Sequence, residues 1–196
     1  LVYLHIMLKN IFITSIWDMN LNFNLDSLKK EIDEITKKDK GRIVSNQGGY
    51  QSENIDVQKY THINFLSQAI LINSNSFKKE LNLEGKSILQ NMWINKNYFK
   101  DYNILHNHPN SCISGVYYVQ CPKKSGKITF ENPAADGIDY VWDEKIMNHN
   151  NYTSSVWNIT PEPNRLLLFP SFLKHYVKPN LSKEERISLS FNIKLL

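Results

Sequence analysis

A chain of 196 residues with 41% hydrophobic and 12% aromatic content can bury a core of its own, which excludes disorder as the expected state. The net charge of +4 comes from scattered lysines and arginines, and the densest run, Lys37-Lys38-Asp39-Lys40, reads as a solvated helix end rather than a nucleic-acid patch. No apolar run approaches the roughly 18 residues of a membrane span, so neither nucleic acid nor membrane is the expected partner.

In chain order, the opening Leu1–Ile6 is too short for a signal peptide and carries no basic lead. Met7 is the expected biological start, with the residues before it an artefact of the reading frame. The segment up to about residue 85 reads as a helical leader. Leu25, Leu28, Ile32 and Ile35 recur at helical spacing, with Asp26 near the start and Gly41 beyond the end, which predicts a first helix. The stretch Ser45–Ser52 contains Gly48-Gly49 and reads as a loop or tight turn. A second helix is expected over about residues 63–81, with Phe65, Leu66, Ala69, Ile70, Phe77 and Leu81 on its apolar side.

From residue 86 onward the pattern turns to period two. Strands are expected over about residues 87–96, 103–108, 112–121, 126–131, 154–160, 165–170, 174–178 and 185–195. Pro109, Pro122 with Gly126, Pro133, Gly137, Pro161 with Pro163, Pro170 and Pro179 punctuate them. Short strands at regular spacing after a helical leader predict one mainly β domain over residues 1–196 with flanking α-helices. A double-stranded β-helix of the jelly-roll, cupin-like kind is the natural architecture. Cys112 and Cys121 would lie far apart along one strand, beyond the reach of a disulfide. They read as buried, reduced thiols in a reducing, cytoplasmic setting.

Three features of these strands carry chemistry. In the last strand Ile187, Leu189, Phe191 and Ile193 share one face, and Arg186, Ser188, Ser190 and Asn192 share the other. An arginine above two serines and an asparagine suits a polar barrel lumen, and a lumenal arginine needs an anion. In His106-Asn-His108 the two imidazoles project to one side of a strand and could meet one metal ion. His175 lies among apolar residues on a later strand. Each histidine feature alone is commonplace, as a surface or core histidine. Together with Arg186 they match an architecture that holds iron at one end of a barrel and a dicarboxylate beside it.

At these residues the sequence resembles the 2-oxoglutarate/Fe(II) oxygenase superfamily, and more narrowly a group of small bacterial and phage 2OG-Fe(II) oxygenases. The matching pieces are Ser45–Ser52, Trp93-Ile-Asn95, His106–Ser111, Ser114–Val119, Phe169–His175 and Glu185–Asn192, in the right order from about residue 45 to the C-terminus. The resemblance implies that His106 and His175 ligate Fe(II). It implies that Arg186, with Ser188, pairs with the far carboxylate of 2-oxoglutarate. Tyr118, or Tyr117, stands where a tyrosine could donate to that carboxylate. The family usually carries His-x-Asp or His-x-Glu, whereas this chain has His108. Either His108 ligates, or it lies behind the ligands with water completing the site, or a carboxylate such as Glu131 or Asp136 supplies the third ligand; direct ligation by His108 is the expectation.

The implied reaction is oxidative decarboxylation of 2-oxoglutarate to succinate and carbon dioxide, coupled to hydroxylation of an unidentified prime substrate. Two other readings of the same residues stand beside it. One is a cupin-type three-histidine metalloenzyme that does not use 2-oxoglutarate, and the other is a jelly-roll binding module without catalysis. Ser45–Ser52 and Asp136–Asn151 are candidate substrate-facing segments or plain surface loops, and a homo-oligomer is left open.

Overall fold

The computed structural model describes residues 8–196; Leu1–Met7, including the expected start at Met7, lie outside the described residues. The elements run β1 (Trp17–Asn20), α1 (Leu25–Thr36), β2 (Asn46–Gln47), β3 (Tyr50–Gln51), α2 (Thr61–Glu80), β4 (Ser87–Asn97) and β5 (Tyr102–His106). They continue with β6 (Ile113–Gln120), β7 (Ile128–Glu131), α3 (Ala135–Val141), β8 (Val156–Ile159), β9 (Arg165–Pro170), β10 (His175–Val177) and β11 (Arg186–Leu195).

Local sequence accounts for the two long helices. The side chain of Asn24 caps α1 by accepting from the Ser27 N–H at 3.0 Å, and Leu28, Ile32 and Ile35 form its buried stripe. The first turn of α2 is capped from α1: the Glu31 carboxylate accepts from the N–H groups of His62 and Ile63, both at 2.9 Å. This contact satisfies orphan donors and joins the two helices.

The strands form two antiparallel sheets. The larger has the order β1-β9-β6-β11-β4-β3 and the smaller β2-β5-β10-β7-β8. From β4 to β7 successive strands alternate between the sheets, β8 pairs back on β7, and alternation resumes through β11. This is the jelly-roll winding of a double-stranded β-helix. Two cores result. One lies between the helices and the outer face of the larger sheet, where Leu28, Ile32, Leu66 and Ile70 meet Met92, Ile94, Leu189 and Phe191. The other lies between the sheets and holds Val116, Tyr118, Phe130, Leu167 and Phe169. Because strand side chains alternate, the apolar row of β11 faces the helices and the row Arg186, Ser188, Ser190 faces the interior between the sheets.

Several expectations need correction. The leader is not purely helical: β1, β2 and β3 belong to it, and β1 adds to the larger sheet along β9, Trp17 opposite Leu168. The eight strands expected from residue 86 onward are all present, as β4 to β11, and the three in the leader bring the described strands to eleven. The Gly48-Gly49 turn, with φ of 69° and 64°, carries the chain from the smaller sheet to the larger. Phe65 is exposed because the buried stripe of α2 runs through Ile63, Leu66, Ile70 and Phe77. Cys112 and Cys121 flank β6 as free thiols, but Cys112 is exposed rather than buried. Lys37, Lys38 and Lys40 are solvated, as expected of a helix end. Among the described residues no helix is long and apolar enough to cross a membrane.

Gly115 of β6 marks the tightest approach in the larger sheet. A Cβ there would run into the Phe191 ring and lie 2.6 Å from the Leu167 carbonyl oxygen. Gly115→Ala should therefore cost about 1–3 kcal/mol by overpacking. A urea midpoint equal to that of the unaltered protein would show that β6, β9 and β11 have more room than the structure gives them.

Candidate metal centre

The strand β5 ends on His106, and His108 follows two residues later, outside the strand. The backbone N–H of His108 donates to the Ser171 carbonyl at 3.0 Å, which ties it to the turn before β10. His175 opens β10 and pairs in register with His106 on one side and with Phe130 of β7 on the other. Three imidazoles thus converge, with ring centroids 4.4 Å apart for His106 and His175, 5.1 Å for His106 and His108, and 5.2 Å for His108 and His175. One nitrogen of each lies within 4.8 Å of the others, and no carboxylate or thiol among the described residues joins them. The Trp93 indole packs beside His108 with its centroid 5.8 Å away.

Hydrogen bonding settles the ring tautomers of two of them. The Nδ1–H of His106 donates to the Ile104 carbonyl at 2.7 Å, and that of His175 donates to the Leu173 carbonyl at 3.0 Å. A carbonyl can only accept, so in each neutral ring Nε2 keeps its lone pair free. Burial favours neutrality too. It holds His175 at about 3, with the charge of His106 adding to the effect, and His108 at about 4, again with His106 as the second cause. His106 is lowered for the same first reason. Three neutral imidazoles on one side of a cavity suit a divalent transition metal, Fe(II) included. Backbone carbonyls behind the rings orient the donors.

The far side of the cavity is cationic. Arg186 is 2% exposed, and its Nη1 donates to the carbonyls of Ser125 and Gly126, the latter at 3.3 Å. No carboxylate among the described residues forms a salt bridge with it. The acidic group whose charge reaches it is Asp101, which instead accepts from the Tyr98 N–H at 2.7 Å. Ser188 and Tyr118 line the same cavity, Ser188 standing opposite Tyr118 across the β11–β6 ladder. Burial pushes the Tyr118 hydroxyl well above the usual phenol range, so it remains a donor at neutral pH. The cavity is narrow, about 50 Å³ by the room it leaves for the centres of water molecules.

The structure therefore brings His106, His108, His175, Arg186, Ser188 and Tyr118 to one cavity. Tyr117 faces the helices, and its hydroxyl donates to Asn164. Glu131 stands 3.5 Å from Lys174, Asp136 lies in the first turn of α3, and neither belongs to the histidine cluster. Ser45 reaches the cavity wall, whereas the Asp136–Asn151 segment does not line it. Sequence reasoning missed Asn97 and Asn103, which line it as well. The period-two row Asn91, Trp93, Asn95, Asn97 on β4 was the signal for the first, a mirror of the polar row on β11.

Comparison with known proteins gives the family and the fold. A family model described as "Putative 2OG-Fe(II) oxygenase" matches residues 91–192. Among solved structures, a prolyl-4-hydroxylase from Pseudomonas putida is similar at 13% identity, with a TM-score of 0.66 over 93% of this chain and 94% of that one. The viral collagen prolyl hydroxylase of Paramecium Bursaria Chlorella virus-1, solved with 2OG, gives 12% identity, a TM-score of 0.60, and coverage of 92% and 96%. A prolyl hydroxylase from Trichoplax adhaerens gives 16%, 0.61, and 91% and 83%. Comparison with curated proteins gives no match.

Buried neutral imidazoles make the metal-free protein sensitive to acid. Their folded pKa values lie below the ordinary 6.5, so below that pH the unfolded chain takes up protons that the folded site refuses, and stability falls as pH falls. Between pH 7 and pH 5, His175 alone should cost about 2 kcal/mol. Denaturant titrations of metal-free protein across this range should show the loss, and His175→Gln should flatten it. An identical slope in the variant would contradict the burial of a neutral His175.

Proposed function

The chain belongs to the 2OG-Fe(II) oxygenase family, and from that premise we propose that His106, His108 and His175 hold the Fe(II) while Arg186, Ser188 and Tyr118 hold 2-oxoglutarate. The reaction class follows from the family: an iron- and 2-oxoglutarate-dependent oxygenase. When bound, the metal supplies the redox chemistry that couples decarboxylation of 2-oxoglutarate to oxidation of a second substrate.

The chain's own residues do the rest. The three imidazoles offer nitrogen lone pairs to one point, two of them in a tautomer fixed from behind. Across the cavity Arg186 presents a guanidinium whose Nε and Nη2 have no partner among the described residues. A planar fork of this kind matches a carboxylate, and the Tyr118 and Ser188 hydroxyls stand beside it as further donors. Aromatic walls at Trp93, Phe130 and Phe169 keep the histidine end apolar, which strengthens every charge interaction inside. The observation that carries this reading is the buried Arg186, without a carboxylate of its own, facing three free imidazole nitrogens through one cavity.

Ligation by three histidines would leave the site without the carboxylate usual in the family, and His108 is the residue that makes the difference. The prime substrate is taken to be hydroxylated. Scattered positive charge argues against nucleic acid as that substrate, and the free thiols at Cys112 and Cys121 fit a reducing, cytoplasmic setting.

Anaerobic titration with Fe(II) tests the metal assignment. His106→Ala and His175→Ala should each abolish tight binding, because two remaining ligands hold iron poorly. His108→Ala should weaken it about ten-fold or more, and His108→Asp should retain it. Full occupancy in His106→Ala or His175→Ala would remove the assignment, and unchanged affinity in His108→Ala would take His108 out of the ligand set.

Addition of 2-oxoglutarate to the iron-loaded protein, followed by its metal-to-ligand charge-transfer band, tests the other half. Arg186→Ala should keep Fe(II) and lose the cosubstrate, since each hydrogen bond to a charged group is worth about 1.5–3 kcal/mol. Arg186→Lys keeps the charge without the fork and should still bind more weakly than the unaltered protein. Equal affinity in Arg186→Ala would place the cosubstrate elsewhere.

A further inference from the structure

One amide in the cavity is unlike the others. Asn95 donates to the Ser190 hydroxyl at 3.0 Å and Asn103 to the Ser45 hydroxyl at 3.1 Å. Asn97 lines the same cavity and is 2% exposed, yet among the described residues its side chain has no hydrogen-bond partner. Its main chain is fixed, with its carbonyl accepting from the Asn180 side-chain amide at 2.9 Å. The amide is not sealed off: among the described residues the buried polar atoms without a partner are those of Tyr50, Gln51 and Ser74, so Asn97 opens into the cavity, where water or an entering ligand can complete it.

The ladder sets Arg186 beside that amide. Asn97 is the cross-strand neighbour of Arg186 between β4 and β11, both on the face turned into the cavity. Side chains so paired have Cβ atoms about 4.5–5.5 Å apart, close enough to grip one carboxylate together. We propose that the Asn97 amide donates to the same ligand carboxylate as Arg186, which makes Asn97 a specificity-determining residue for the length of the dicarboxylate. This rests on the reading of Arg186 given under Proposed function.

The residue type matters as much as its position. An aspartate here would be nearly isosteric and would pair with Arg186 within the protein, neutralising the guanidinium before any ligand arrived. An amide supplies a donor and leaves the cation free. The surrounding charges do not change this: Asp101 forms no salt bridge with Arg186, and no acidic residue lines the cavity.

The test uses iron-loaded protein under anaerobic conditions, with 2-oxoglutarate and the one-methylene-longer 2-oxoadipate as probes, each read by the charge-transfer band. Binding of 2-oxoglutarate to the unaltered protein tests the cavity reading itself; the Asn97 variants test this proposal separately. Asn97→Ala should weaken 2-oxoglutarate about ten-fold and 2-oxoadipate less, because the lost side chain makes room at the far end. Asn97→Asp should weaken both about a hundred-fold or more, keep Fe(II) affinity, and raise the melting temperature of the ligand-free protein. An Asn97→Ala protein that binds 2-oxoglutarate within two-fold of the unaltered one would overturn the proposal. So would equal weakening of both diacids in Asn97→Ala, or a parallel loss of Fe(II) in either variant, because each would mark Asn97 as supporting the fold only. Should Asn97→Asp fail to fold, Asn97→Ser keeps a shorter donor and should fall between alanine and asparagine; affinity at or below the alanine level would count against the proposal.

Discussion

Burying a guanidinium is costly unless anions or acceptors compensate it, and removing the compensation from such a group costs several kcal/mol. Arg186 is buried with only the carbonyls of Ser125 and Gly126 to accept from it. Those bonds use one of its nitrogens and supply no negative charge. The remaining edge of the fork opens into a cavity walled by neutral donors, with no acidic residue among them. The site is therefore built around a charge that the protein leaves uncompensated. Much else follows from that constraint: the polar row of β11 and the tyrosine and serine beside the arginine.

The fold makes this arrangement possible by giving β11 two different neighbours. Its apolar row packs beneath α1 and α2, while its polar row looks into the space between the sheets. Helix packing stabilises the larger sheet from outside, so the interior need not be filled with aliphatic side chains. The smaller sheet completes the site from the other side. Antiparallel pairing of β5 with β10 puts His175 opposite His106, and the turn before β10 holds the backbone of His108 through Ser171. The histidine end and the cationic end thus belong to different sheets, and the distance between them is set by how the two sheets pack.

Much of this could be read in the sequence, for identifiable reasons. Alternation along 185–195 is strict enough to mark that strand and its inward row, and the limits expected at 87–96 and 185–195 fall within two residues of β4 and β11. The three histidines and Arg186 could be grouped because their order, a His-x-His on an early strand, a histidine on a late one and an arginine on the last, matches an iron and dicarboxylate site. The short strands β1, β2 and β3 left no period, since two to four residues carry none; their pairing with β9, β5 and β4 is decided by distant chain segments. The exposure of Phe65 turned on which stripe of α2 meets the sheet, a tertiary choice between adjacent helical faces. Asn97 escaped notice because an asparagine at the end of a strand reads as a turn residue, and only the register with Arg186 gives it meaning.

The same limit applied to the third donor beside His106 and His175. Glu131 ends β7 and Asp136 follows it closely in sequence, but Glu131 lies beside Lys174 and Asp136 enters α3. Only His108 is brought to the other two. An anaerobic crystal structure with Mn(II) in place of iron and with 2-oxoglutarate tests the whole arrangement at once. The expected result is a metal on the imidazole nitrogens of His106, His108 and His175 with no protein carboxylate, and a cosubstrate whose far carboxylate rests on Arg186. A metal held by Glu131 or outside the three histidines, or a cosubstrate that leaves Arg186 without a partner, would contradict it.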